Sequence, residues 1–260
     1  MPAFAALVRA GFQRHASYRR ATLASAFTNS VFGFLKCYVL LTAASGRGEI
    51  AGYDAASLAM FAWAGQGLLG VVELFSWTEV TNRIRTGDIV SDLLRPVNPM
   101  VAFLAADLGR AGHALVIRLG VPITLGALCF PLRWPSAAAT WLWLAVSVLL
   151  ATVISFATRY LVNLLAFWWL DARGPNTLWL FGSALFSGLA IPIPFFPEWA
   201  QTVLWCTPFP WMLQAPLDVL LERGSPVLSV GGATVVAVGM LGSCAVVQHV
   251  AVRRLVVQGG

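Results

Sequence analysis

From about residue 22 to residue 251 the sequence alternates long apolar runs with short segments in which the arginines gather. About 20 apolar residues in a helix, at 1.5 Å per residue, cover the ~30 Å of a bilayer's hydrocarbon. In that medium each backbone amide and carbonyl has to be satisfied within the protein, so such runs become helices. The chain is 58% hydrophobic and 11% charged, with a mean hydropathy of +0.77. A water-soluble globule of this size could not be coated by so few polar groups. The fold class expected is an all-α polytopic membrane protein, one transmembrane domain over residues 1–260, with the lipid bilayer as its solvent.

The charge pattern sets the topology. The formal charge of +6 lies in clusters between apolar runs rather than on one basic face, which excludes nucleic acid as a partner and fits the positive-inside rule. Residues 1–21 place Phe4, Leu7, Val8 and Phe12 among Arg9, Arg14, Arg19 and Arg20, the spacing of an interfacial helix on the cytoplasmic leaflet. No small-residue cleavage site follows a short apolar core, so the first apolar run is expected to stay as a span. Six spans are expected, at about 22–43, 56–77, 114–130, from 137 to as far as 167–170, 177–194 and 226–251. The charges Asp107, Arg110, His113 and Arg118 call for a surface-lying entry helix ahead of the third crossing. Lys36 reads as a snorkelling or packed lysine in the first. Arg159 marks either the inner interface of the fourth or a charge buried in the bundle. With both ends in the cytoplasm, the inner segments hold Arg9, Arg14, Arg19, Arg20, Arg83, Arg85, Arg95, Arg173, Arg253 and Arg254. The outer ones hold Arg47, Arg133 and Arg223.

Two segments stand apart. Residues 78–99, from Thr78 through Glu79, Arg83, Arg85, Asp88, Asp92 and Arg95 to Pro96 and Pro99, form the largest charged loop, on the cytoplasmic side. Residues 192–224 carry Pro192, Pro194, Pro197, Pro208, Pro210 and Pro216 among tryptophans and phenylalanines. Proline forbids a continuous helix there, and the apolar content forbids a solvated loop. Short re-entrant or interfacial helices on the outer side satisfy both demands.

Catalytic patterns are missing. There is no GxxxxGK[ST] phosphate loop and no HExxH. Cys37, Cys129, Cys206 and Cys244 show no ligand spacing, and His15, His113 and His249 have no second ligand type nearby, so no metal is expected. Ser187-Gly188 lacks the turn of a nucleophilic serine, and His249 belongs to the opposite end of the bundle. Lys36, Glu73 and Arg159 do not form a proton relay. The chain is not expected to be an enzyme.

The run Arg83-Ile-Arg85-Thr-Gly87-Asp88-Ile89, continuing through Leu93-Leu94-Arg95-Pro96-Val97-Asn98-Pro99, is one of three features that carry a resemblance. The others are Ala166-Phe167-Trp168 and the stretch from Ser187-Gly188 through Pro197-Glu198-Trp199 to Pro208-Phe209 and Pro216. In order and spacing the chain resembles the six-span permease of an ATP-binding-cassette type 2 exporter, of the viologen exporter family kind. Arg159, where that pattern has a neutral residue, is a departure. The resemblance implies a permease pairing with a second copy or a homologous permease, and two copies of a separate ATPase subunit that bind ATP and Mg. It implies a bacterial cell (inner) membrane location, which the scarcity of lysine beside arginine, alanine and glycine also favours. It further implies a coupling helix between spans two and three, with Glu79, Arg83, Arg85, Gly87, Asp88 and Asp92 facing the ATPase. The outer segment would close the pathway through Phe195, Phe196, Trp199, Phe209 and Trp211. The rival readings are an ATP-independent secondary carrier or channel and a structural or accessory membrane protein that moves nothing.

Overall fold

The structure, a computed structural model, describes residues 2–17, 19–46, 48–75, 77–169 and 173–254. Arg47 and the side chains of Arg19 and Arg20, used in the topology above, lie outside the described residues. Among the described residues regular structure is helical, apart from one isolated antiparallel bridge between Ile50 and Tyr53. The helices are α1 (Pro2–Ala16), α2 (Arg19–Ala44), α3 (Ala55–Val72), α4 (Glu79–Thr86), α5 (Ile89–Leu93) and α6 (Pro99–Ala114). A π-helical turn, Leu115–Leu119, joins α6 to α7 (Gly120–Cys129) without a break. Then come α8 (Ala138–Leu164), α9 (Arg173–Phe186), α10 (Glu198–Trp205), α11 (Phe209–Met212), α12 (Gln214–Leu220) and α13 (Pro226–Val252).

Five helices are long and apolar enough to cross a membrane: Thr22–Ala44, Ala55–Val72, Pro99–Cys129, Ala138–Phe167 and Pro226–Val252. They overlap five of the six expected spans, although α3 ends at Val72 rather than residue 77 and the third helix begins at Pro99 rather than residue 114. The remaining one differs: α9 ends at Phe186, well short of residue 194, and its length of roughly 21 Å falls below a full crossing. Gly188 sits at φ 90° just beyond the helix end, in the left-handed region that terminates helices.

Sequence signals fix the ends of the crossing helices. Asp54 caps α3 by accepting from the Ser57 amide at 2.8 Å, and Asn98 caps α6 in the same way, with Pro99 at its first position. Pro122 lacks an amide and crowds the carbonyl four residues back, so the wide turn at Leu115–Leu119 lies where the helix has to yield. The middle of the bundle is built on α3, buried from Ser57 to Val72. Its Trp63 stands edge-on to Phe34 of α2 at 4.8 Å and 6.1 Å from Phe130, joining three segments in one aromatic cluster.

The N-terminal helix is held by backbone proximity. A Cβ on Gly109 of α6 would collide with the Val8 carbonyl, and one on Gly11 with the Ala106 carbonyl. These glycines let α1 lie directly against α6, where Phe12 meets His113 edge-on at 5.5 Å.

The charges of α6 correct the expectation of a surface-lying entry helix. Asp107 and Arg110 are buried, and the helix runs unbroken from Pro99 through the π turn to Cys129. Asp107 accepts from Arg110 Nε at 2.7 Å and from Arg159 Nη2 at 2.8 Å, with Arg159 only 1% exposed. Arg110 also donates to the carbonyls of Gly70 and Val71, at 2.8 and 3.0 Å, and to Glu73 at 3.3 Å. It therefore satisfies the free carbonyls at the end of α3, as a cation at a helix C-terminus should. Arg159 is thus a charge buried in the bundle. The lipid tolerates these groups because each is paired inside the protein.

Removing the shared carboxylate should leave two guanidinium groups buried without their counter-charge. Asp107→Asn is expected to lower stability by about 3–5 kcal/mol, read as a fall in the thermal unfolding midpoint in detergent. An unchanged midpoint would show that water already solvates the cluster.

Candidate functional site

The charged loop folds into a compact helical hairpin at one end of the bundle. Glu79 opens α4, and Arg83 and Arg85 fall in its last turn, the arrangement that suits a helix dipole. Gly87 ends it at φ 81°. Arg83 then reaches across to α5, where its Nε and Nη2 meet the two carboxylate oxygens of Asp92 at 2.5 and 2.8 Å. This bidentate fork, with Asp92 buried, locks α4 to α5. Arg95 adds a contact to Asp92 at 3.6 Å. Asp88 accepts from the Thr86 hydroxyl at 2.8 Å and is exposed, as is Arg85. Glu79 pairs with Arg14 of α1 at 3.3 Å.

A single asparagine ties this hairpin to the bundle. Asn163 Oδ1, near the end of α8, accepts from both the amide and the hydroxyl of Thr81 at 2.9 Å. Its Nδ2 donates to the Trp77 carbonyl at 2.6 Å and the Arg159 carbonyl at 2.7 Å. Beneath it Val80 is fully buried in a cluster with Phe156, Tyr160, Leu164 and Cys244. The hairpin's apolar face is therefore seated on α8 and the Leu165–Phe167 turn that follows it, while its exposed charges point away.

Of the six expected coupling residues, the structure brings Arg83 and Asp92 together inside the hairpin and ties Glu79 to α1. It leaves Arg85, Gly87 and Asp88 on the outside. Asn163 was not among the candidates: an isolated asparagine in an apolar helix gives no spacing signal.

At the opposite end lies the proline-broken segment. Gln214, fully buried, repairs its interrupted backbone: its backbone N–H donates to the Ser187 carbonyl at 3.0 Å and its side-chain Oε1 accepts from the Ile193 amide at 3.0 Å. Its Nε2 donates to Asp218 at 2.8 Å and to the Tyr53 hydroxyl at 3.0 Å. A side chain on Gly188 would press into Gln214 Oε1, at 2.6 Å, so this contact requires glycine there.

Glu222 and Arg223 fasten the end of that segment to its neighbours. Glu222 accepts from the amides of Ser136 and Ala137 at 3.0 Å and the hydroxyls of Ser136 and Thr140 at 2.7 and 2.8 Å, covering the start of α8. Hydrogen bonding, from the Ala137 amide first, holds its carboxyl down to about 2. Arg223 lies over the Tyr53 ring at 3.7 Å and donates to the Gly52 and Ala51 carbonyls.

The five expected gate aromatics are spread through this region. Phe195 meets Tyr53 edge-on at 6.0 Å, and Phe209 stacks on Trp179 of α9 at 5.8 Å. Trp211 packs against Trp205 at 4.9 Å and donates to its carbonyl at 3.1 Å. Phe196 is half-buried, and Trp199 is 73% exposed. Among the described residues no ring contact joins two of the five. The polar residues that fasten the segment, Gln214, Glu222 and Arg223, were not among the candidates, although Glu222-Arg223 was a visible charged pair beside Gly224.

Residues 27–259 match a family described as ABC-2 family transporter protein. Comparison with curated proteins and with solved structures gives no match.

The fastening by Glu222 predicts a pH signature. Its carboxyl sits below the ordinary 4.5 when folded, so its contribution is complete above that value and is lost as pH falls toward about 2. Wild type should melt higher than Glu222→Gln at pH about 6, and the gap should narrow between pH about 4.5 and 3. A gap that stays constant over that range would show that the carboxylate's charge adds nothing.

Proposed function

The chain belongs to the ABC-2 family of transporter proteins and is a multi-pass membrane permease, and from this we propose that it forms the pathway of an ATP-driven exporter. Two permeases, identical or homologous, would enclose the route, and two copies of a separate ABC ATPase subunit would bind ATP and Mg beneath them. The observation that supports this best is the α4–α5 hairpin: a rigid, charged unit at one end of an apolar bundle, gripping α8 through Asn163 and Val80. Its exposed Arg85 and Asp88, with Glu79 at the edge, offer a docking surface for the ATPase. Arg83 and Asp92 hold the shape of that surface, and Gly87 provides its turn.

ATP-bound closure of the partner would move the hairpin as a body, and α8 with it. A ligand shifts a conformational equilibrium only by binding its states differently, so the docked ATPase has to favour one position of the hairpin. In this reading the hairpin end, both termini and α1 face the cytoplasm of a bacterial inner membrane, with α1 as an interfacial helix. The sixth crossing is α9, completed on the outer side by the short re-entrant helices of residues 192–224. There Phe195, Phe196, Phe209 and Trp211 would exclude water from the resting pathway and Trp199 would lie at the interface.

The test is reconstitution of the permease with its ATPase in vesicles. Arg85→Ala/Asp88→Ala should leave the permease folded and the ATPase turning over, while ATP-driven transport falls roughly tenfold, as expected when docking charges are lost. Unaltered transport would remove the hairpin from the coupling route. Transport by the permease alone, driven by a gradient, would replace the exporter with the secondary carrier or channel.

A further inference from the structure

A cavity of about 610 Å³ opens on the flank of the bundle, between α3, the α6–α7 helix and α8, with Val8 of α1 and Leu220 of α12 also in its lining. One wall is a single stripe of α8: Trp141, Leu144, Ala145, Val148, Leu149 and Thr152. These recur at the three- and four-residue spacing of one helix face. Small side chains, Ala64 on α3 and Ala111 and Gly112 on α6, hold the opposite walls back.

Three properties define what fits. The first is chemistry: Thr152 carries the one hydroxyl in the lining, and that hydroxyl donates to the Val148 carbonyl at 2.9 Å. The remaining polar side-chain atoms of the lining are the indole N–H groups of Trp134 and Trp141, so the rest of the walls calls for hydrocarbon. The second is length: Trp141 to Thr152 rises roughly 16 Å, about the depth of one leaflet of a hydrocarbon core near 30 Å. The third is the end. Trp134 and Trp141 lie 6.5 Å apart at the mouth away from α4, as aromatic residues do at a membrane interface. Arg133, next to Trp134 in sequence, is half-exposed and meets Asp54 Oδ2 at 3.9 Å, an exposed pair that engages one of its nitrogens. The rest of its guanidinium is therefore available to a phosphate.

We propose that this groove holds one acyl chain of a membrane phospholipid, from the leaflet at the Trp134 end, with the phosphate against Arg133. The exposed side chains beside the opening, Leu142 and Val116 among them, are apolar, so the groove is continuous with the lipid-facing surface. An empty gap would forfeit dispersion contacts along its walls, and a neighbouring lipid restores them. The chain packs against Leu115 and Leu119 of the π turn, where the crossing helix departs from regular hydrogen bonding, and so completes the contact between α7 and α8.

The experiment counts phospholipid retained by the full-length protein in mild detergent, by native mass spectrometry, during titration with phosphatidylglycerol. Ala145→Phe, which fills the groove, should reduce the retained lipid roughly tenfold. Val238→Phe, on the exposed face of α13, should retain the wild-type amount. Arg133→Gln alters an exposed side chain and should weaken retention roughly fivefold, the scale of one basic residue at a membrane surface. Equal retention by wild type and Ala145→Phe would overturn the proposal. So would release of a non-lipid apolar compound from the wild-type protein in place of phospholipid, or loss of a dimer in Ala145→Phe with lipid unchanged, which would assign the groove to a second copy. If Ala145→Phe does not fold, Arg133→Gln decides: undiminished retention rejects the phosphate site, and with it the proposal.

Discussion

One carboxylate holds three crossing helices in register. Asp107 of α6 lies between Arg110, which closes the end of α3, and Arg159, which rises from α8. Ionised groups in a bilayer are tolerable only when paired inside the protein, so burying one fixes the position of the others. The other contacts at this end follow from that arrangement. Ser155, one turn from Arg159, donates to the Glu73 carbonyl at 3.1 Å, and Ser183 of α9 donates to the Leu74 carbonyl at 2.8 Å. Beyond α3 the carbonyls of Glu73 and Leu74 are thereby satisfied, and that of Trp77 is met by Asn163, one turn beyond Arg159.

The opposite end solves a different problem by related means. A proline-rich segment cannot satisfy its own backbone as a spanning helix does, so its carbonyls and amides need side chains from elsewhere. Gln214 supplies them from within the segment, and Glu222 and Arg223 bind its end to α8 and to the turn at Ala51–Gly52. Between these two polar ends the contacts are mostly apolar and centred on Trp63, with one bond from the Asn29 side chain of α2 to the Gln66 carbonyl of α3 at 3.3 Å.

How much of this was legible in the sequence follows from the range of each interaction. The five long crossings could be read because a bilayer imposes length and apolarity locally, and their caps at Asp54 and Asn98 sit beside the runs they start. The charged hairpin and the broken segment were equally local. The surface placement of Asp107 and Arg110 was wrong because their partners, Glu73 and Arg159, lie roughly 35 and 50 residues away in sequence. Only the spacing of Asp107 and Arg110, three apart, hinted at a pair. The early end of α9 was hidden because Gln214, which meets the chain beyond Gly188, belongs to another helix. Asn163 and Gln214 are single amides whose roles exist only once distant segments are adjacent.

The division within the hairpin bears on how force could pass through it. An exposed ion pair adds about 0–1 kcal/mol, so Glu79 with Arg14 can form and break as α4 moves. The bidentate contact of Arg83 with a buried Asp92 is of another kind, since breaking it would leave Asp92 without its fork. Two segments without regular helix bound the unit, Trp77–Thr78 before α4 and Leu94–Asn98 after α5, the second stiffened by Pro96. In the reading proposed above, a body rigid inside and jointed at both ends would move as a lever. Asn163 joins it to α8 one turn from the Arg159 that meets Asp107, so a displacement of α4 would reach α6 through two side-chain contacts rather than through the length of the bundle.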